Sequence, residues 1–128
     1  MREEPKCKPV VWIASTKHDL KNFPDKIQGR VGHALWSAQI GGNHPHAKVL
    51  KGFGDASVMR SSKTGRGNAY RAVYTVRFED AVYVLHVFQK KSRRGVETPR
   101  ADIDLVKRRL RDAKAIHEAL RSKEKSDG

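Results

Sequence analysis

The residues with the greatest capacity for chemistry are arginines and lysines, and they crowd the middle of the chain. Arg60, Lys63 and Arg66 precede Arg71 and Arg77, and Lys90, Lys91, Arg93 and Arg94 follow. An arginine fork grips two phosphate oxygens at once and keeps its charge at physiological pH. Within a small sheet, such residues predict a basic surface for RNA phosphates. Arg60, Lys63, Arg66, Arg77, Arg93 and Arg94 are its candidate RNA-binding residues. Edge-strand charge that blocks aggregation is the competing reading for Arg66, Arg77, Arg93 and Arg94. Arg71 lies between Tyr70 and Ala72 in an aromatic, β-branched run, where a charge needs a reason. That reason is either a structural salt bridge or a cleft that faces RNA. Arg71 and Arg77 would stand roughly 20 Å apart on one strand, too far to hold a single phosphate.

His86 is the one histidine beside this cluster with a natural titration range that suits a general base. It alternates with Val84 and Phe88, and a histidine on an apolar strand face also serves as a satisfied core residue. The other chemistries are poorly supplied. Neither a nucleotide-binding glycine fingerprint nor a P-loop occurs. The carboxylates sit mostly on helices beside basic neighbours, which disfavours a paired-acid hydrolase. His44 and His46 flank Pro45 without a third ligand at a standard spacing, so no metal is expected. Cys7 is the only cysteine and fits a reducing, cytoplasmic setting.

Charge points the same way. Lysine and arginine total 27 against 14 acidic residues, a formal charge of +13. Such a surplus repels itself inside a compact fold and calls for a polyanionic partner. The start of the chain reads as neither signal peptide nor anchor, and the longest apolar stretches are strand-sized. A basic helix on a membrane would need aromatic anchors that the last helix lacks, so no membrane partner is expected.

A chain of 128 residues predicts one domain, with a core over about 9–121 and a frayed tail over 122–128. The run Pro9–Ala14 predicts a strand. Ser15-Thr16 with Asp19 is a capping pattern for a short helix that Pro24 ends. Ile27, Val31, Ala34, Leu35 and Ala38 recur at helical steps over about 25–40, and Gly41-Gly42 stops that helix. A loop is expected over 43–55. Strands follow at 56–62, 69–78 and 81–90, with a turn over 63–68; the last is the most apolar and is expected at the sheet centre. Thr98-Pro99 starts a final helix to about 122, whose stripe is Ile103, Val106, Leu110, Ala113, His117 and Leu120. The fold class is α+β, a small twisted antiparallel sheet with helices on one face and at one end.

Three segments in this order resemble a known group. Leu50-Lys51-Gly52-Phe53-Gly54, then Tyr70 to Val76, then Tyr83 to Ser92 resemble the phage-derived Gp49-like, HigB-type branch of the RelE/ParE toxin superfamily. Thr98-Pro99 and Lys107-Arg108-Arg109-Leu110 continue the match, which spans roughly Val10 to Ala115. Val58 is a looser fit. The resemblance implies a RelE-like fold, with two N-terminal helices on one face of the sheet and a basic cleft on the other. It implies the toxin of a type II toxin–antitoxin system, a metal-independent, cofactor-free endoribonuclease that cuts mRNA on the ribosome and inhibits translation. It also implies a helix-turn-helix antitoxin as partner. Arg71 would stabilise the scissile phosphate, Lys91 or Lys90 would assist the charge or the leaving group, and His86 is a candidate base. Two alternatives stay open: a non-enzymatic ParE-like poison of DNA gyrase, and a structural RNA-binding module.

Overall fold

A computed structural model describes residues 7–42, 47–53, 57–65, 68–90 and 99–127. The elements run β1 (Val10–Trp12), α1 (Thr16–Lys21), α2 (Asp25–Gln39), β2 (Ala47–Val49), β3 (Val58–Gly65), β4 (Asn68–Thr75), β5 (Val82–Lys90) and α3 (Arg100–Asp127). The strands form one sheet in the order β1-β5-β4-β3-β2. β1 pairs with β5 in parallel, and every other pairing is antiparallel. This is an α+β fold with a mixed sheet.

The α2 side of the sheet follows directly from sequence periodicity. Ile27, Val31, Leu35 and Ala38 are buried on one helix stripe and meet Met59, Ala72, Tyr74, Val82, Val84 and Val87. Phe23 closes the margin edge-on against Tyr70, with ring centroids 4.9 Å apart. Gly41, at φ 81°, takes the left-handed position that ends α2, and Gly42 donates its backbone N–H to the Ser37 carbonyl. Short α1 starts after Ser15, whose hydroxyl donates to the Asp19 carboxylate at 2.8 Å. Thr16, named in the expected capping pattern, is instead a fully buried first-turn residue.

The other side carries α3. Val106, Leu110 and Ala113 bury against Ile13, Leu50, Val58, Val73, Ala81, Tyr83 and Leu85. The two N-terminal helices thus share one face, as expected, and the last helix covers the opposite face rather than an end of the sheet, because its apolar stripe matches the outward residues of β4 and β5. His117 is buried farther along α3. Its Nδ1 and the Tyr83 hydroxyl are hydrogen-bonded at 3.3 Å, and its ring lies 4.5 Å from that of Phe78. Its Nε2 stands 3.9 Å from the Asp80 carboxylate. The helix continues to Asp127, past the expected end near 122 and through the expected frayed tail.

Other boundaries shift for local reasons. β2 lies where a loop was expected, because three residues suffice to pair with Met59, Arg60 and Ser61. β3 and β4 reach into the expected turn, pairing Gly65 with Asn68. β4 stops at Thr75, where the Thr75 hydroxyl donates to the Ser57 carbonyl and accepts from the Arg77 backbone N–H. Phe78, expected within this strand, lies beyond its end and belongs to the α3 cluster.

Candidate functional site

Side chains that point from β3, β4 and β5 toward α3 meet in rows across the sheet. Arg60 pairs with Val73, and Val73 with His86; Arg71 pairs with Phe88. Since Val73 belongs to the α3-side core, Arg60 and His86 share that side, and Arg71 joins them by strand alternation. The pairing of β4 and β5 shifts between Val73 and Tyr74, where β5 passes over Leu85. This bulge puts Leu85 and His86 on one side together. His86 consequently faces with Phe88, on which its ring stacks at 4.4 Å and 15°, but away from Val84, which lies on the α2 side. The even alternation of His86 with Val84 expected from the sequence is corrected by that one extra residue.

α3 completes the cluster. His86 Nε2 and the Asp102 carboxylate are 2.7 Å apart. Arg109 donates from Nη1 to the Leu85 carbonyl at 3.0 Å, and the same nitrogen stands 3.5 Å from His86 Nδ1. A guanidinium can only donate. Nδ1 must then present its lone pair to Arg109, and Nε2 carries the proton given to Asp102. Burial holds the His86 pKa below the usual histidine value and outweighs the Asp102 hydrogen bond and charge and the Asp19 charge, which raise it; the Arg109 charge lowers it further. The neutral imidazole with this tautomer is what the surroundings select.

Arg71 is 2% exposed and His86 8%, so both lie beneath the N-terminal half of α3. Burial lowers the Arg71 pKa, as does nearby Arg60, while Asp102 raises it. An arginine starts so high that the group stays charged. The result is a cationic cluster (Arg60, Arg71 and Arg109) around one His–Asp pair. Its partly exposed members, Arg60 and Arg109, can bind an oxyanion, and Arg71 adds its positive field from beneath α3. It offers no idle imidazole nitrogen, because both are engaged.

The remaining candidates distribute unevenly. Arg60 is half-buried at the margin of the cluster. Lys63 and Lys90 lie opposite Tyr70 and Ala69 in the sheet. Arg77 is separate: it is exposed beyond the end of β4, and its Nε donates to the Ser57 hydroxyl at 3.0 Å. Arg66, Lys91, Arg93, Arg94 and the His44–His46 pair lie outside the described residues. Among the described residues no group of three or more His, Cys, Asp or Glu could hold a metal ion, and no helix is long and apolar enough to cross a membrane. Asp102 and Arg109 are the functional candidates that sequence reasoning missed. The signal available was their place one and three turns into the final helix, each on the flank of its apolar stripe.

A family profile described as Phage derived protein Gp49-like (DUF891) matches residues 18–111. The chain belongs to the Gp49-like family. This is a RelE/toxin-like group, in keeping with the α+β architecture. The matched segment starts in α1 and ends within α3. It thus contains the whole cluster, from Arg60 to Arg109. No curated protein and no solved structure matches the chain.

Proposed function

We propose that the protein is the toxin of a type II toxin–antitoxin system and a ribosome-dependent endoribonuclease that cuts mRNA. The observation that carries this reading is the convergence of Arg60, Arg71 and Arg109 around the His86–Asp102 pair on one side of the sheet. Membership of a RelE/toxin-like family supports it. The reaction needs cations and proton transfer. The 2′-hydroxyl attacks the adjacent phosphorus, the bond to the 5′ oxygen breaks, and a cyclic phosphate and a 5′-hydroxyl result. One base takes the 2′ proton, and an acid returns one to the leaving oxygen. Arg71 neutralises the charge on the phosphate, and Lys90 or Lys91 assists the leaving group. His86, with both nitrogens engaged, acts as the group that positions this end of the sheet. The partner is a helix-turn-helix antitoxin that covers the basic side, and the compartment is the cytoplasm.

A second reading, a non-enzymatic poison of DNA gyrase, draws support from the same engagement of both His86 nitrogens, because binding alone needs no base. The two are told apart by inducing wild-type and Arg71→Ala protein in bacteria and mapping mRNA 5′ ends within minutes. The ribonuclease reading expects new ends inside translated frames, lost in the variant. Growth arrest with intact mRNA and damaged DNA would overturn it in favour of gyrase. Circular dichroism of the purified variant checks that loss of cleavage is not loss of fold.

A further inference from the structure

We infer that the flank of α3 turned away from Asp102 and Arg109 is a second binding surface, a rail for the phosphate backbone of double-helical RNA, separate from the sheet-side cluster. This rests on the RNA-directed reading above and extends it from the strand that is cut to the structured RNA beside it. The inward side of α3 is committed to the core through Val106, Leu110 and Ala113. Lys107, Arg111, Lys114 and Arg121 are all exposed and follow one another at steps of four, three and seven residues. Those steps keep them within about a quarter of the helix circumference and along roughly 21 Å of its length. Arg108 flanks the stripe. Asp104, Asp112 and Glu118 stand one turn from these cations, within reach of intrahelical pairing. Yet among the described residues none of Lys107, Arg108, Arg111, Lys114 and Arg121 is in an ion pair.

The chemistry of this stripe chooses among polyanions. A surface for single strands uses aromatic side chains on which bases stack, and α3 has none. A protein partner wants apolar anchors at the centre of its footprint. The large exposed apolar residues of α3, Ile116 and Leu120, lie away from the cationic stripe. Fixed charges on a straight helix suit a partner read by shape and phosphates, and an A-form duplex is such a partner. Glu118, between Lys114 and Arg121, is the one opposing charge in the stripe.

The test titrates full-length protein against a 16-base-pair RNA duplex by fluorescence anisotropy, from 50 to 200 mM salt. The variant K107Q/R111Q/K114Q is expected to bind at least tenfold more weakly, and its log–log salt slope to fall by about two to three. K17Q/K21Q/K26Q removes the same charge from exposed positions on α1 and α2, and is expected to change the slope by less than one. Glu118→Lys should tighten binding and steepen the slope by about one. The inference is overturned if the α3 variant binds like wild type, if both triple variants weaken equally, or if wild type does not bind the duplex. Equal affinity for a DNA duplex of the same sequence would overturn the assignment to RNA. The titration involves no cleavage, whereas the proposed function fails on uncut cellular mRNA, so the two failures are distinct.

Discussion

The two sides of the sheet solve different problems with the same strands. Toward α2, β3, β4 and β5 send Met59, Ala72, Tyr74, Val82, Val84 and Val87, and the helix answers with aliphatic residues. Toward α3, the same strands send Val58, Val73, Tyr83 and Leu85, but also Arg60, Arg71 and His86. An apolar layer gains stability in rough proportion to the area it takes from water. A guanidinium and an imidazole in the same kind of layer must be compensated by hydrogen bonds and opposite charge. The contrast teaches that α2 secures the sheet, while α3 combines half a core with a polar cluster whose members need one another.

The largest effect should come from breaking the purely apolar side. Leu35→Ala, at a position 3% exposed, is expected to cost about 2–5 kcal/mol in denaturant unfolding. Refolded at low temperature, that variant should keep its activity per folded molecule. Equal loss of activity and stability would show that the two sides are not separable. On the other side, Asp102→Asn removes the charge from a 2.7 Å contact whose carboxylate is a quarter exposed. It should cost about 1–2 kcal/mol, less than the core substitution, and lower activity beyond what the melting curve explains.

Acidification sharpens the same comparison. The folded His86 has a pKa below the histidine value because it is buried. As the pH falls through about 6.5, the unfolded chain takes up this proton before the folded one does. Stability present above that range is therefore lost on acidification, down to the folded pKa. Thermal melts from pH 7.5 to 5 should show the decline, and His86→Gln should flatten it. An unchanged slope in the variant would assign the acid sensitivity elsewhere. Toward alkaline pH the α2 side should respond in turn, because burial pushes the Tyr74 hydroxyl up to about 12. Stability should fall as pH rises above about 10, where the unfolded tyrosine ionises first.

The smallest expected effect is a gain. Gly32 is exposed inside α2, and a methyl group built on it meets nothing within 4 Å. Gly32→Ala should stabilise by about 0.8–1 kcal/mol, raising the melting temperature without altering activity. A loss would mean that a partner approaches α2 closely at this position.

How far these contrasts were legible in the sequence depends on the range of the interactions that create them. α2 was readable to within a residue, because its stripe repeats every three or four positions and Gly41 ends it. The apolar run of β5 marked an interior strand, although β4 and not β5 holds the centre of the sheet, and Arg71 stood out as a charge in apolar company. The side covered by α3 was not readable, since an amphipathic helix fits either face equally well. Nor was the bulge at Leu85 and His86, because one extra residue in a strand leaves no mark in composition. The Asp102–His86 contact joins residues sixteen positions apart, and no local pattern specifies such a pairing. β2 was missed because three residues carry too little alternation to announce a strand.

The parallel pairing of β1 with β5 has a consequence for the order of assembly. The hairpins of β3, β4 and β5 join neighbours in the chain, whereas Val10 must find Val82, about seventy residues farther on. Closing so long a loop costs entropy before any contact offsets it. During synthesis the first strand leaves the ribosome long before its partner exists. The N-terminal edge is therefore the last seam of the sheet to close. Until β5 arrives, Val10, Val11 and Trp12 are solvent-facing residues of a nascent chain and available to whatever escorts it.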